Sequence, residues 1–346
     1  LKKLISLILL VAAITSVYLF LSFQGLKKPT GMSSGEIIYE VAKGSSFNKV
    51  LNDLSAQGYL NHNVIIKLFA KFTKYNVQLK AGTYNLTPSM TQLQILEELT
   101  TGKTLDEKIT FSEGLNVNDI GILLEKRGFF TKEEFLSVAR DQGFVKELLN
   151  EDLPNFEGYL FPETYFVNKN TTIKSLIKKM VENFKINYKK SLVGAKIKMS
   201  RKNHVIMASL IEKETGAEEE RTLVSAVYHN RIKKGMRLQC DPTILYGMFD
   251  KTGIFPTNIR KKDILEKTRY NTYAMNGMPY GAIANPGLAS LKAALAPRES
   301  KMLYFVSRND GTHVFSEALE KHNAAVRKFQ MDPKARKGKS WRDKKD

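Results

Sequence analysis

The stretch "SLIEKETGAEEER", residues 209–221, sets five glutamates into a chain that carries 54 Lys and Arg against 35 Asp and Glu. A carboxylic acid can protonate a leaving oxygen, and its conjugate base can take a proton back, when its surroundings hold its pKa near the working pH. Helical geometry separates the candidates. At 100° per residue, Glu212 and Glu214 project about 200° apart, so one unbroken helix cannot aim both into one cleft. Glu214 continues the stripe of Met207, Leu210 and Ile211, whereas Glu212 continues Val205, Ala208 and Ser209. Held against the bulkier apolar stripe, the charged form of Glu214 is disfavoured and its pKa rises toward that of a general acid. Glu218, Glu219 and Glu220 follow Gly216 and read as the solvated first turn of the next helix, where negative charge suits the helix dipole. On these grounds alone Glu214 stays open between a catalytic acid and a partner in an end-of-helix ion pair.

Other chemistries find less support. "GMSSG" (31–35) satisfies the spacing of a hydrolase nucleophile elbow, but it has no preceding core strand and no following helix. "GKT" (102–104) resembles the end of a phosphate-binding loop, yet Glu97 stands where the first glycine belongs. His62, His204, His229, His313 and His322 show no zinc-ligand spacing, so neither a metal nor another cofactor is expected. Cys240, the only cysteine, rules out an intramolecular disulfide and reads as buried filler, not as a thiol nucleophile paired with His229. The net charge of +19 suits an anionic surface. Its basic residues are scattered, without the aromatic-interleaved pattern of RNA-binding modules, so no nucleic-acid partner is expected.

The elements that must position these residues begin with a span. Residues 4–23, "LISLILLVAAITSVYLFLSF", hold no charge over about 20 positions, the length of a membrane-crossing helix. Bulky residues run to its end in place of a small-residue cleavage site, which favours an uncleaved anchor over a signal peptide. Residues 1–3 then form a cytoplasmic stub and the body lies outside. Residues 24–35 read as a linker. Over 36–102 the pattern is strand, helix, helix, strand, with Ser45 or Ser46 capping the first helix and Gly58 closing it. From 103 to 330 a larger mixed α+β domain is expected. Its helices lie near 116–127, 131–140 (Thr131 and Glu134 form a capping box) and 171–190, and a further two fall between 203 and 234. Residues 235–287 read as mostly loop, 302–316 as a hairpin turning at Asn309–Gly311, and 331–346 as a disordered basic tail.

Several stretches, in order, resemble one family. "FEGYLFPETYFV" (156–167), "ASLIEKET" (208–215), "YHNRIKKGMRLQCDPTILYG" (228–247), "RYNTYAMNGMPYGAIANPG" (269–287) and "YFVSRNDGTHVFS" (304–316) are similar to the endolytic murein transglycosylases, the YceG-like family. The resemblance implies an α+β protein with an N-terminal transmembrane helix, a LysM-like βααβ module over 36–102 and a catalytic domain over 103–330. It implies cleavage of the MurNAc–GlcNAc β-1,4 bond inside nascent peptidoglycan strands, leaving 1,6-anhydroMurNAc ends. Glu214 falls at the family's acid in E-K-E-T, and Glu163, Gln239, Tyr246, Asn271 and Tyr273 lie in matching motifs as candidate sugar-contacting residues. Asp241-Pro242 is expected to shape a loop. The resemblance also implies the inner membrane as location, an extracytoplasmic catalytic domain, a role in ending strand growth and partnership with peptidoglycan synthases. The alternatives are a membrane-anchored peptidoglycan-binding scaffold without chemistry, against which the intact E-K-E-T speaks, and a tethered nucleic-acid binder.

Overall fold

The computed structural model describes residues 2–29, 36–42, 44–61, 63–72, 79–102, 106–168 and 171–332. The chain divides into two compact units, Leu1–Ile109 with Phe166–Lys169, and Thr110–Tyr165 with Asn170–Asp346.

In the first unit, α1 (Lys2–Leu26) is long and apolar enough to cross a membrane, with a mean hydropathy of 2.4 over Ile5–Leu26. Its apolar side chains are largely exposed, Leu9 and Leu21 at 64% and 63%, which suits a lipid surround and not water. The helix continues three residues beyond the expected span, and Leu26 is buried in the unit's core. Then follow β1 (Ile37–Val41), α2 (Phe47–Ala56), α3 (Asn63–Phe72) and β2 (Gly82–Leu86), in the expected order. β1 and β2 pair antiparallel, with Tyr39 opposite Tyr84. Ser46 caps α2 by accepting from Lys49 N, and Gly58 turns out of it at φ 76°. A fourth helix of this unit, α4 (Gln92–Thr101), was not anticipated. It is started by the Thr91–Gln94 capping box and stopped by left-handed Gly102, and it buries Ile95, Leu96 and Leu99. Residues 30–35 of the expected linker lie outside the described residues.

β3 (Glu107–Thr110) and β4 (Thr164–Val167) form a two-stranded sheet, and the division between the units falls within both strands. The second unit carries α5 (Val117–Lys126), α6 (Lys132–Ala139), α7 (Gln142–Leu149), α8 (Ile173–Ser191), α9 (Arg201–Glu214) and α10 (Arg221–Lys233). After these come α11 (Asp241–Thr252), α12 (Lys261–Leu265), α13 (Leu288–Leu295), the antiparallel hairpin of β5 (Tyr304–Ser307) and β6 (His313–Ser316), and α14 (Leu319–Val326). The Thr131–Glu134 capping box forms as expected. Asn309 and Gly311 take positive φ at the hairpin turn.

One expectation is corrected. Residues 235–287 are mostly loop, as expected, but Asp241-Pro242 opens α11 and does not shape a loop. A proline in the first helical turn has no intrahelical N–H bond to forfeit. The short, apolar "LASLKAAL" forms α13, which packs against α8, α9 and α10. A buried histidine and a half-buried one address its carbonyls: His204 Nε2 donates to Leu291 O at 2.7 Å and His229 Nε2 to Ala294 O at 2.9 Å. With every residue from His204 to Ile211 buried, α9 is the axis of this unit. The expected basic tail lies outside the described residues from 333 onward.

Candidate active site

Glu214 is the last residue of α9, where the chain leaves the helix through extended Thr215. The residue is half-buried, and its carboxylate accepts a 2.7 Å hydrogen bond from the Tyr228 hydroxyl. Tyr228 is fully buried on α10, so it holds the acid from the protein side. Cys240, also fully buried, hydrogen-bonds the same carboxylate. Desolvation pushes the pKa of Glu214 up. The hydrogen bonds from Cys240 and Tyr228 pull it back, Asp241 pushes it up and His313 pulls it down. A raised carboxyl at the end of a buried helix can hold a proton for delivery and still reach solvent.

Glu212, two residues earlier, has a different fate. Its side chain is only 5% exposed, with Oε2 accepting from Gly287 N at 2.9 Å and Oε1 lying 3.5 Å from Arg221 Nη2. It is therefore a neutralised brace. At Gly287 a Cβ would lie 1.7 Å from Glu113 Oε1, so a larger residue there would push the Glu113 side chain aside. The reading of three solvated glutamates after Gly216 holds for Glu218 and Glu219 but not for Glu220. All three form a single 3-10 turn, and Glu220 is turned inward and buried, where it accepts from the backbone and ring N–H groups of His313.

The candidate sugar-contacting residues divide. Tyr273 is electrostatically coupled to Glu214; its hydroxyl donates to Asp241 Oδ1 at 2.5 Å, and burial and Asp241 push its pKa up. Gln239, exposed, precedes Cys240 in a left-handed conformation (φ 53°) and accepts from Arg231 Nη1 at 3.2 Å. Neither Tyr246 nor Asn271 presents its side chain to solvent, at 6% and 1% exposure. Asn271 Nδ2 donates to the carbonyls of Asp263, Ile264 and Glu266, fixing the turn after α12. Both brace the fold from inside, since their polar atoms are already satisfied there. Glu163 is exposed at the start of β4, with its carboxylate accepting from Thr164 N.

The order and content of these motifs match a known family over nearly the whole chain: the YceG-like family profile aligns with residues 39–328. The chain belongs to the YceG-like family. It is 31% identical over 333 residues to an endolytic murein transglycosylase of Bacillus subtilis, covering 90% of this chain and 89% of that one. A Streptococcus pneumoniae endolytic murein transglycosylase is 30% identical over 318 residues, 83% of this chain but only 57% of the longer relative. The crystal structure of a yceG-like protein from Listeria monocytogenes superposes with a TM-score of 0.56 at 32% identity, covering 85% of this chain and all of that one.

Within this YceG-like protein, the sequence reading overlooked a second unusual carboxyl. Glu157, 6% exposed, accepts from Val117 N at 3.2 and 3.1 Å, from the Tyr246 hydroxyl at 2.8 Å and from Asn285 Nδ2 at 3.5 Å. Burial pushes its pKa up to about 8, against the pull of the Tyr246 and Val117 hydrogen bonds. Asn285 Oδ1 accepts from Gly158 N and Leu160 N, so this network ties the "FEGYLF" loop to "IANPG" and to the start of α5. Glu157 thus fixes these segments against one another. The available signal was the "FEG" motif itself, but it drew attention to the later Glu163. Tyr228 was equally unmarked, because its contact with Glu214 depends on how α10 folds back on α9.

Proposed function

We propose that this chain is an endolytic murein transglycosylase, a lyase of the bacterial cell wall, with Glu214 as its single general acid and base. The observation that carries the assignment is the seat of Glu214, a desolvated carboxyl on a half-buried residue, held at 2.7 Å by a buried tyrosine. The protonated acid gives its proton to the oxygen of the MurNAc–GlcNAc β-1,4 bond as that bond breaks. The resulting carboxylate takes the proton of the MurNAc C6 hydroxyl while O6 bonds to C1. The product is a 1,6-anhydroMurNAc end, and no water is consumed. Because the nucleophile belongs to the substrate, one carboxylic acid does the work that ordinary glycosidases divide between two.

Exposed Gln239 and the Tyr273–Asp241 pair flank this seat and are the sugar-contacting candidates favoured here. The strand–helix–helix–strand unit with its paired β1 and β2 supports a LysM-like glycan-binding module. The apolar exposed α1 supports a single-pass inner-membrane anchor that holds the enzyme over nascent strands. In that position, on the extracytoplasmic face, cleavage would end strand elongation beside the peptidoglycan synthases.

Digestion of purified uncrosslinked glycan strands, followed by mass spectrometry of the new ends, tests this reading. Anhydro ends are expected, and Glu214→Gln should abolish them while the unfolding midpoint stays at the wild-type value. Water-added reducing ends would overturn the lyase mechanism and point to Asp241, whose charge acts on Glu214, as a water-activating base.

A further inference from the structure

The acid's neighbours close into a circuit that the mechanism above leaves unused. Glu214 accepts from Tyr228, whose ring meets that of Phe305 on β5 edge-on, at 6.1 Å between centroids. Phe305 in turn meets His313 on β6 edge-on at 5.5 Å. Glu220 holds His313 by both ends, accepting from His313 Nδ1 at 2.7 Å and from His313 N at 2.9 Å. Glu220 Oε2 also accepts from the hydroxyl of Thr215 at 3.4 Å, and Thr215 follows Glu214 directly. With side-chain exposures of 10% and 11%, His313 and Glu220 are well shielded from water.

We propose that His313, clamped by Glu220, is a positioning residue for Glu214, fixing the acid's seat from the hairpin side and setting a positive charge against its carboxylate form. The proposal rests on Glu214 being the acid. An acid that must also serve as a base passes through a carboxylate in mid-reaction, and a protonated imidazole nearby stabilises that state. Glu220, bonded to His313 Nδ1 at 2.7 Å, is the carboxylate that faces this imidazole. Glu220 also anchors the hairpin, so geometry and charge are delivered by one pair. The charged and titratable groups around Glu214 are Tyr228 and Arg231 on α10, Cys240 before α11, Asp241 on α11, Tyr273, and His313 on β6. Among these, His313 is the imidazole that pulls the pKa of Glu214 down, and it belongs to the circuit.

The test is the pH profile of kcat on uncrosslinked glycan strands, using the full chain in detergent, for wild type, His313→Gln and His313→Ala. Glutamine can still donate to Glu220, so the hairpin stays docked, but it carries no charge. Loss of the charge raises the pKa of Glu214, so the acid keeps its proton to higher pH. For His313→Gln we expect kcat reduced several-fold, an alkaline limb displaced upward by about 0.5 pH unit or more, and an unfolding midpoint close to wild type. For His313→Ala we expect a larger loss of kcat, of which Gln restores part. An alkaline limb in His313→Gln superimposable on wild type overturns the proposal. So do equal losses in Gln and Ala that track a lowered unfolding midpoint. If Glu214→Gln still cleaves, the acid assignment fails with it; if Glu214→Gln is dead and the His313→Gln limb does not move, only this inference fails.

Discussion

Glu157→Gln converts a buried carboxyl to a neutral isostere and tests how the segments around it are held. In the native chain Glu157 keeps its proton to about pH 8, whereas in the unfolded chain it releases it near 4.5. Native protein therefore binds the proton more tightly, and this group's stabilisation is fully present below pH 4.5 and is lost as pH rises toward 8. At ~1.36 kcal/mol per pH unit, that interval sets a ceiling of about 5 kcal/mol. Glutamine can still accept from Val117 N and the Tyr246 hydroxyl, so it preserves the lattice without titrating. The assay is urea unfolding of the full chain in detergent, followed by circular dichroism from pH 5 to 8, with the difference between variant and wild type cancelling all other groups. Glu157→Gln should be close to or slightly below wild type at pH 5 and more stable at pH 8, so the two curves cross. Parallel curves, or a variant less stable at pH 8, would show that Glu157 is held ionised by its donors, and the burial reasoning would be wrong.

Three other outcomes follow from the same contacts. Tyr228→Phe removes the hydroxyl that draws the pKa of Glu214 down, so kcat should fall roughly tenfold or more while its alkaline limb moves to higher pH; a limb moving to lower pH would contradict the bond's direction. Glu212→Gln should lower stability by about 1–3 kcal/mol by leaving Arg221 short of countercharge, yet keep kcat within a few-fold; a dead, well-folded Glu212→Gln beside an active Glu214→Gln would exchange the roles of the two. Gly158→Ala meets a left-handed backbone (φ 89°) and places Cβ 2.5 Å from Val205 Cγ1 and 2.7 Å from Ala282 Cβ. Thermal unfolding should register a loss of about 2–4 kcal/mol, and an unchanged midpoint would mean the loop yields freely.

The sequence by itself determined features written in local pattern. The 100° step of a helix separated Glu212 from Glu214, and the structure does send them to different surroundings, one to Gly287 and Arg221, the other to Tyr228. An uncharged run announced α1, capping residues announced α2 and α6, and turn residues announced the β5–β6 hairpin. Helix α4 escaped despite its Thr91–Gln94 capping box, whereas α11 and α13 escaped because their starts carry weak or misleading signals; Pro242 is a breaker everywhere except in a first turn. Only the tertiary structure decided what each polar side chain faces. Tyr246 and Asn271 are turned inward, Glu157 is desolvated, and Glu220 leaves its solvated neighbours for a histidine 93 positions away. A carboxyl's pKa and role depend on which donors, charges and apolar atoms the folded chain brings within a few ångströms, and that information is absent from spacing along the sequence.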